Sequence, residues 1–259
     1  MNILFTICGR AGSKGFKNKN LKEMRGVPLS FYSLAAIKGY IEKHLEDNIL
    51  VALNTDSEPL IDLIKKQSIV PVRYIARKPE LAGDVVAKVE VIKDTFLSCY
   101  DFETDVIIDL DITSPMRRVE DIENTIAEYK KDIYDLVFSV VEARRSPYFN
   151  MVENKSDGFY RKICKGTFTA RQQAPKSYEM NASIYAYKPE FLRRDITKSI
   201  IDYNCGISVM PDYLVLDIDS EEDFMMMEFL CAFFCNKDEK LMAIYKCAKE
   251  IEDNYNENK

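Results

Sequence analysis

Histidine is almost missing from this chain: His44 is the only one among 259 residues, and it sits in the charged stretch Glu42-Lys43-His44-Leu45-Glu46. Ser-His-Asp and Cys-His hydrolases need an imidazole beside the nucleophile, so that chemistry is disfavoured and His44 reads as an exposed helix-end residue. Cysteine pairing is missing too. Cys8, Cys99, Cys164, Cys205, Cys231, Cys235 and Cys247 are scattered without CxxC spacing. An odd, unpatterned set reads as reduced thiols in a cytoplasmic protein rather than as a disulfide framework, and a zinc finger lacks its ligands. There is no block of lysine or arginine, and the formal net charge is −6. Nucleic-acid binding needs a clustered positive field, so it is not expected here. A nucleotide substrate needs only a few local cations and stays open. Long apolar runs are absent as well. The stretch 224–235 is the most apolar later segment, is too short to span a bilayer, and reads as core or subunit contact. No basic segment precedes the opening run Asn2-Ile3-Leu4-Phe5-Thr6-Ile7, so neither a signal peptide nor membrane insertion is expected.

What remains is a chain with 47% hydrophobic and 30% charged residues, enough apolar material for one large α/β domain over 1–259. Strand-length apolar runs at 2–8, 48–54, 105–111 and 135–141 alternate with amphipathic stretches near 28–43, 57–67, 84–99 and 119–131. Pro28 suits a first helical turn and Ser57 an N-cap. This alternation predicts βαβ units, a mostly parallel sheet and helices on both faces, a three-layer Rossmann-like arrangement. Ligands of such sheets bind outside the carboxyl ends of the strands. Between 143 and 190 the rhythm changes to short stretches punctuated by Ser146-Pro147, Asp157-Gly158 and Ala174-Pro175, which predicts an inserted β excursion suited to subunit contacts. The α/β pattern returns with a strand near 214–218 and a helix from about 220, and the polar end 252–259 is expected to fray.

Just after the first strand stands Cys8-Gly9-Arg10-Ala11-Gly12-Ser13-Lys14-Gly15-Phe16-Lys17-Asn18-Lys19-Asn20. Glycines allow the backbone N–H groups to converge on an anion, and Arg10, Lys14, Lys17 and Lys19 gather cations for a triphosphate. Neither Walker A nor G-x-G-x-x-G spacing is present. The series Gly9-Arg10-Ala11-Gly12-Ser13-Lys14-Gly15 with Lys19-Asn20-Leu21 closely resembles the opening signature of the CMP-sialic acid synthetases (acylneuraminate cytidylyltransferases), which usually carry alanine or another small residue where this chain has Gly9. The resemblance continues in Arg77-Lys78-Pro79-Glu80-Leu81-Ala82, Thr113-Ser114-Pro115-Met116-Arg117, Ala170-Arg171-Gln172-Gln173, Asn181-Ala182-Ser183-Ile184-Tyr185 and Leu216-Asp217-Ile218-Asp219.

The resemblance implies a nucleotidyltransferase fold and transfer of CMP from CTP to an acidic 2-keto sugar. It also implies Mg²⁺, with Mn²⁺ as a substitute, and a homodimer whose 143–190 excursion reaches the partner's sugar site. It assigns Cys8, Gly9, Arg10, Gly12, Ser13, Lys19, Asn20 and Arg77 to the nucleotide, with Arg10, Lys14 and Lys19 stabilising phosphate charge. Ser114, Arg171, Gln172, Asn181, Ser183 and Tyr185 fall to the sugar acid. Asp217 and Asp219, two apart in a strand, share a face and offer hard oxygen ligands; helix capping by Ser220 and Asp223 is the plainer alternative.

Three positions depart from the sialic acid members. Asp111 replaces the usual glutamine and resembles the Kdo cytidylyltransferases, so it is a further metal ligand, a sugar contact or a carboxylate that activates the nucleophile. Lys88 stands where a small hydroxyl residue is usual, and Phe149 near a lost basic residue. The rival readings are a Kdo-type synthetase, a glycosyltransferase using its Asp-x-Asp, and a non-catalytic nucleotide-binding protein.

Overall fold

In the computed structural model residues 1–12, 15–83 and 85–258 are described. β1 (Asn2–Gly9) is apolar at nearly every position because both of its faces are covered. Ile3, Phe5 and Ile7 pack on one side of the sheet, Leu4 and Cys8 on the other, the pattern of a strand buried between helical layers. A short hairpin, β2 (Glu23–Met24) and β3 (Val27–Pro28), turns through Arg25 and Gly26 at positive φ and delivers Pro28 as the N-cap of α1 (Leu29–Lys43). β4 (Asn48–Thr55) follows, then α2 (Glu58–Lys66), capped by Ser57 through its Oγ and the Leu60 N–H as its sequence predicts.

After β5 (Arg73–Ala76) the chain makes a one-turn 3₁₀ segment, and α3 (Lys88–Ser98) begins four residues later than the pattern suggested. β6 (Val106–Leu110), α4 (Val119–Tyr129) and β7 (Leu136–Glu142) complete the regular half. β8 (Val152–Asn154) pairs with β9 (Tyr160–Lys162) in a separate hairpin. β10 (Tyr178–Tyr187) and a short α5 (Pro189–Leu192) lead to β11 (Cys205–Val209), α6 (Glu221–Cys235) and α7 (Glu239–Glu257).

The main sheet has the order β11-β7-β10-β6-β1-β4-β5, with β10 antiparallel to both neighbours and the other pairs parallel. Residues of α1, α4 and α7 belong to one apolar layer, and those of α3 and α5 to the other. The three-layer α/β/α architecture expected from the alternation is therefore present.

Four expectations need correction. The segment 214–218 is not a strand: a 3₁₀ turn at Asp212–Leu214 passes into irregular chain whose Ile218 N–H bonds the Thr113 carbonyl at 2.9 Å without building a ladder. The last strand is instead β11, less apolar because it lies at the sheet edge. The stretch 178–187, read as part of an excursion, is a central strand; its antiparallel direction lets the chain return from the hairpin without a helical crossover. The end does not fray at 252, since α7 runs to Glu257 with Leu241, Ile244, Ala248 and Ile251 buried and Tyr255 edge-on to Phe31 at 5.9 Å. His44 does cap the end of α1, yet it is half-buried, stacked on Tyr40 at 4.2 Å with Nε2 3.1 Å from Glu123.

In the apolar 224–235 stretch Met227, Cys231 and Cys235 on α6 are fully in the core, and Phe224, Leu230 and Phe234 pack partly buried against it. No helix among the described residues is long and apolar enough to cross a membrane. Because the Ile251 side chain is fully buried under α1, Ile251→Ala is expected to cost about 2–5 kcal/mol. Urea unfolding followed by circular dichroism measures this, and an unchanged midpoint would contradict the docking of α7.

Candidate active site

Side chains two apart in β1 and β6 share a face, and the face turned towards α3 carries Thr6, Cys8 and Asp109, with Asp111 just beyond the last residue of β6. Asp109 is fully buried and accepts from Thr6 Oγ1 at 2.8 Å. Lys88, the first residue of α3, puts its Nζ 2.6 Å from both Asp109 Oδ2 and Asp111 Oδ2. Asp111 Oδ1 accepts from the Thr113 N–H at 3.0 Å and the Thr113 hydroxyl at 2.9 Å. Burial works against the Asp111 charge, but the Lys88 ammonium and the Thr113 bonds outweigh it and bring the carboxyl from an ordinary 3.8 to about 2. A group so acidic is a good cation ligand and a poor proton acceptor at neutral pH. Lys88 itself, in spite of burial, is held well above the ordinary lysine range by Asp109 and Asp111, so it stays charged.

The remote acidic segment arrives at the same place. Lys19 Nζ donates to the Ile218 carbonyl at 2.8 Å and to Asp219 Oδ1 at 2.9 Å, across 200 positions of sequence. Gly15 lies so close that a Cβ there would stand 2.8 Å from the Asp219 carbonyl oxygen, which is why this position has no side chain. Phe16 packs on Phe224 of α6 at 5.6 Å. Together these contacts fasten the glycine-rich loop to the 217–219 segment.

The cleft so formed encloses about 210 Å³ and is lined by Cys8, Arg10, Lys19, Asn20, Arg77, Lys88, Asp111, Thr113 and Asp217, with Leu81, Gly83, Val86 and Val91 on its apolar side. Asn20 is buried and donates to the Arg10 carbonyl at 3.1 Å. Arg77 is fixed by Nε to Asn54 Oδ1 and by Nη2 to the Asn54 carbonyl, both 3.0 Å, and burial lowers its pKa from the usual arginine value. The Cys8 thiol is pushed far up, first by burial and then by Asp109, so it is a neutral wall residue and not a nucleophile.

Asp217 and Asp219 are not displayed together on a strand face. With no strand there, Asp217 turns into the cleft, while Asp219 stays 78% exposed and engaged by Lys19. The capping alternative holds beside it, as Ser220 and Asp223 form a reciprocal box at the start of α6. Asp217 Oδ1 is buried with no hydrogen-bond partner among the described residues, and burial and Asp111 raise the Asp217 pKa. An orphaned buried oxygen facing another carboxylate is a donor set that fits a hard divalent cation. A cluster of His44, Glu46 and Asp47 lies elsewhere, at the end of α1, where Asp47 already pairs with the amino terminus at 2.6 Å.

The sugar-side assignments divide. Tyr185 stands beside Lys88 with its ring centroid 5.7 Å from Nζ, over a neighbouring cavity shared with Tyr187, Ile196 and Ile200. Ser114, Ser183 and Asn181 are buried structural residues and do not line the cleft. Ser114 donates to the Leu216 carbonyl, Ser183 receives Arg117, and Asn181 bridges Ser139 and the Leu214 carbonyl. Arg171 and Gln172 line a different cavity with Arg145, Ser146 and Lys176, and Arg171 donates to the Ala143 carbonyl at 2.7 Å. Gly9 serves packing, since a Cβ would sit 2.6 Å from Leu60 Cδ2, and Gly12 turns at φ +68°. Ser13 and Lys14 lie outside the described residues.

Sequence reasoning missed Thr113, Asp109 and the hub at Arg117. That guanidinium is fully buried, with Nε on Ser183 Oγ at 3.0 Å, Nη1 on Ser33 Oγ at 2.8 Å and Nη2 on the carbonyls of Asp111 and Ser114. Burial lowers its pKa to about 10. An arginine directly after Thr113-Ser114-Pro115-Met116 was the available signal, but its role depends on distant carbonyls.

The cytidylyltransferase family pattern matches residues 4–255. Flagellin modification protein B of Campylobacter coli and the CMP-N,N'-diacetyllegionaminic acid synthase of Campylobacter jejuni are each 37% identical over 232 residues, covering 88% of this chain and 94% of theirs. An N-acylneuraminate cytidylyltransferase of Streptococcus agalactiae is 28% identical over 227 residues, 87% of this chain and 52% of its own length. Among solved structures, CMP-2-keto-3-deoxy-manno-octonic acid synthetase in complex with CTP superposes with a TM-score of 0.63 at 15% identity, over 90% of this chain and 99% of that one. The 4-diphosphocytidyl-2C-methyl-D-erythritol synthase of Anaerococcus prevotii gives 0.59 at 15% identity, over 88% and 96%. At that identity the likeness is one of fold.

The sign of the Asp111 effect is testable. Its folded pKa lies below the ordinary value, so its contribution to stability is present above pH 3.8 and is lost as pH falls through about 2. Asp111→Asn is expected to melt below wild type at neutral pH, with the gap closing as pH drops from about 5 to 2. A gap that stays constant in acid would contradict the Lys88–Asp111 pairing.

Proposed function

The chain belongs to the cytidylyltransferase family, and from that premise we propose that it transfers CMP from CTP to the 2-hydroxyl of a nonulosonic acid of the sialic or legionaminic type, releasing pyrophosphate. The observation that carries this reading is the meeting of cationic loop and acidic segment in one cleft, Lys19 against Asp219 at 2.9 Å and Asp217 facing Asp111 beside Arg10, Asn20 and Arg77. The names of the relatives sharing 37% and 28% identity support the sugar class.

In the reaction the 2-hydroxyl oxygen attacks the α-phosphorus in line, its proton leaves, and the bond to pyrophosphate breaks. Arg10, Lys19 and Arg77 hold the triphosphate and offset the charge that moves onto the leaving group, the preorganised electrostatic term that dominates phosphoryl and nucleotidyl transfer. Lys14 belongs with them on the strength of the loop pattern. Asp111 and Asp217 are the residues that would hold Mg²⁺, or Mn²⁺ in its place. When bound, such a cation supplies Lewis-acid polarisation of phosphate oxygens and charge neutralisation. Asp219 acts through Lys19, keeping the ammonium over the cleft. Leu81, Val86 and Val91 narrow the apolar side and limit water there.

Arg171 and Gln172 stand on a separate cavity. They fit a sugar role in a homodimer whose 143–190 excursion reaches the partner's cleft. Support comes from the β8–β9 hairpin, which exposes Val152, Phe159 and Tyr160 at 58%, 67% and 70%; grouped exposed apolar side chains mark contact surfaces.

Pyrophosphate release with CTP, Mg²⁺ and a panel of N-acetylneuraminic, legionaminic, pseudaminic and Kdo substrates tests the assignment. Turnover with a nonulosonic acid is expected, and silence with the whole panel would overturn it. Asp217→Asn and Lys19→Ala should each lower kcat by about a hundredfold or more, whereas Asp219→Asn, one step removed, should lose about tenfold at most. Sedimentation equilibrium should find dimers that Phe159→Glu with Tyr160→Glu converts to monomers; a wild-type monomer would remove the trans role of Arg171.

A further inference from the structure

Lys88 is the cation that the function above leaves unused. Its Nζ lies 2.6 Å from a carboxylate oxygen of Asp109 and 2.6 Å from one of Asp111, midway between two acids that project from the same face of β6. Asp109 is fully buried and Asp111 nearly so. Two acids that close together in a poorly solvated place require a cation between them. In many phosphoryl-transfer sites that need is met by paired metal ions about 3.5–4 Å apart. Here an ammonium on the first turn of α3 occupies the position instead.

Resting on the CTP and divalent-cation reading, we infer that Lys88 is a tethered counter-cation standing in the place of a second metal ion, so that the cleft takes a single divalent cation, shared by Asp111 and Asp217. The geometry fits. Lys88 engages Asp109 Oδ2 and Asp111 Oδ2, whereas Asp217 Oδ1 has no hydrogen-bond partner among the described residues, so it is the oxygen of the same cleft left for a cation.

Lys88 is thus a positioning residue. It takes Asp111 Oδ2, the Thr113 N–H and hydroxyl take Oδ1, and the carboxylate plane is set before any cation binds. It also removes Asp109 from the ligand set, keeping the buried acid as a fixed counter-charge. Since the ammonium sits 2.6 Å from each oxygen and a small divalent ion binds carboxylate oxygens at about 2.0–2.2 Å, its place accommodates a metal once the side chain is shortened.

Counting bound Mn²⁺ by electron paramagnetic resonance on the full chain, without nucleotide and without turnover, tests this directly. Wild type is expected to bind one Mn²⁺, abolished by Asp217→Asn. Lys88→Ala is expected to bind two, and Lys88→Ala with Asp109→Asn to return to one. Lys88→Arg, which keeps charge and bulk, should retain one. A second Mn²⁺ on wild type, or a single Mn²⁺ on Lys88→Ala, overturns the role of Lys88 while leaving the cation reading intact. A wild-type Mn²⁺ indifferent to Asp217→Asn overturns the cation reading itself. Should Lys88→Ala fail to fold, Lys88→Gln keeps part of the stem and is expected to bind two by the same count.

Discussion

Asp109 and Asp111 meet on one ammonium at the carboxyl end of the sheet, Asp217 lines the same cleft as Asp111, and the surrounding structure answers the repulsion among these acids. Each acid has its own means of support. Asp109 leans on Thr6 and Lys88, and Asp111 on Lys88 and Thr113. Asp217 keeps one oxygen without a partner. The backbone that carries Asp111 is gripped by Arg117, whose guanidinium also ties α1 through Ser33 and β10 through Ser183. A buried charge is tolerable only when its hydrogen-bond capacity is largely filled, and all three nitrogens of the Arg117 guanidinium donate. The acid-rich end is therefore held from several sides, and Asp217 Oδ1, which has neither a hydrogen bond nor an ion pair among the described residues, is the point left for a ligand.

The parallel sheet decides where this happens. β1, β4 and β6 all point their carboxyl ends the same way, so the residues that follow them, the glycine-rich loop, Asp56 and Asp111, converge. The Ala11 N–H on Asp56 at 2.8 Å joins the first two of these. The antiparallel β10 then brings Ser183 and Tyr185 beside β6 from the opposite direction. Residues that look like a sugar-contacting motif along the chain, Asn181 and Ser183, are taken up by that registration: β10 shifts register between Met180 and Tyr185, the Asn181 Oδ1 accepts from the Ser183 N–H at 3.5 Å and from Ser139 Oγ at 2.6 Å, and the Ser183 hydroxyl accepts from Arg117.

The nucleotide end and the sugar end differ in how far they could be read in advance. Arg10, Lys19, Asn20 and Arg77 all line one cleft, because the devices that bring them there, glycine turns and basic side chains close after a strand, are short and local. Ser114, Asn181 and Ser183 did not. Small polar residues suit a buried hydrogen-bond network as well as they suit a sugar, and only the identity of their neighbours separates the two. Arg171 belongs to a distinct cavity for a related reason: an arginine in an irregular segment is steered by whichever carbonyl it finds, here that of Ala143.

By itself the order of residues determined the element alternation, the three-layer class, the cationic glycine-rich loop and the acidic character of the distal segment, because strand burial, glycine turns and capping act over a few neighbours. Tertiary structure alone decided the rest. It broke the expected strand at 214–218, turned Asp217 inward, gave Asp219 to Lys19, made Arg117 a hub and set Lys88 between two acids. Those outcomes depend on distances between groups as much as 200 positions apart, and electrostatic pairing in a poorly solvated interior is fixed by separation in space, which sequence spacing does not encode.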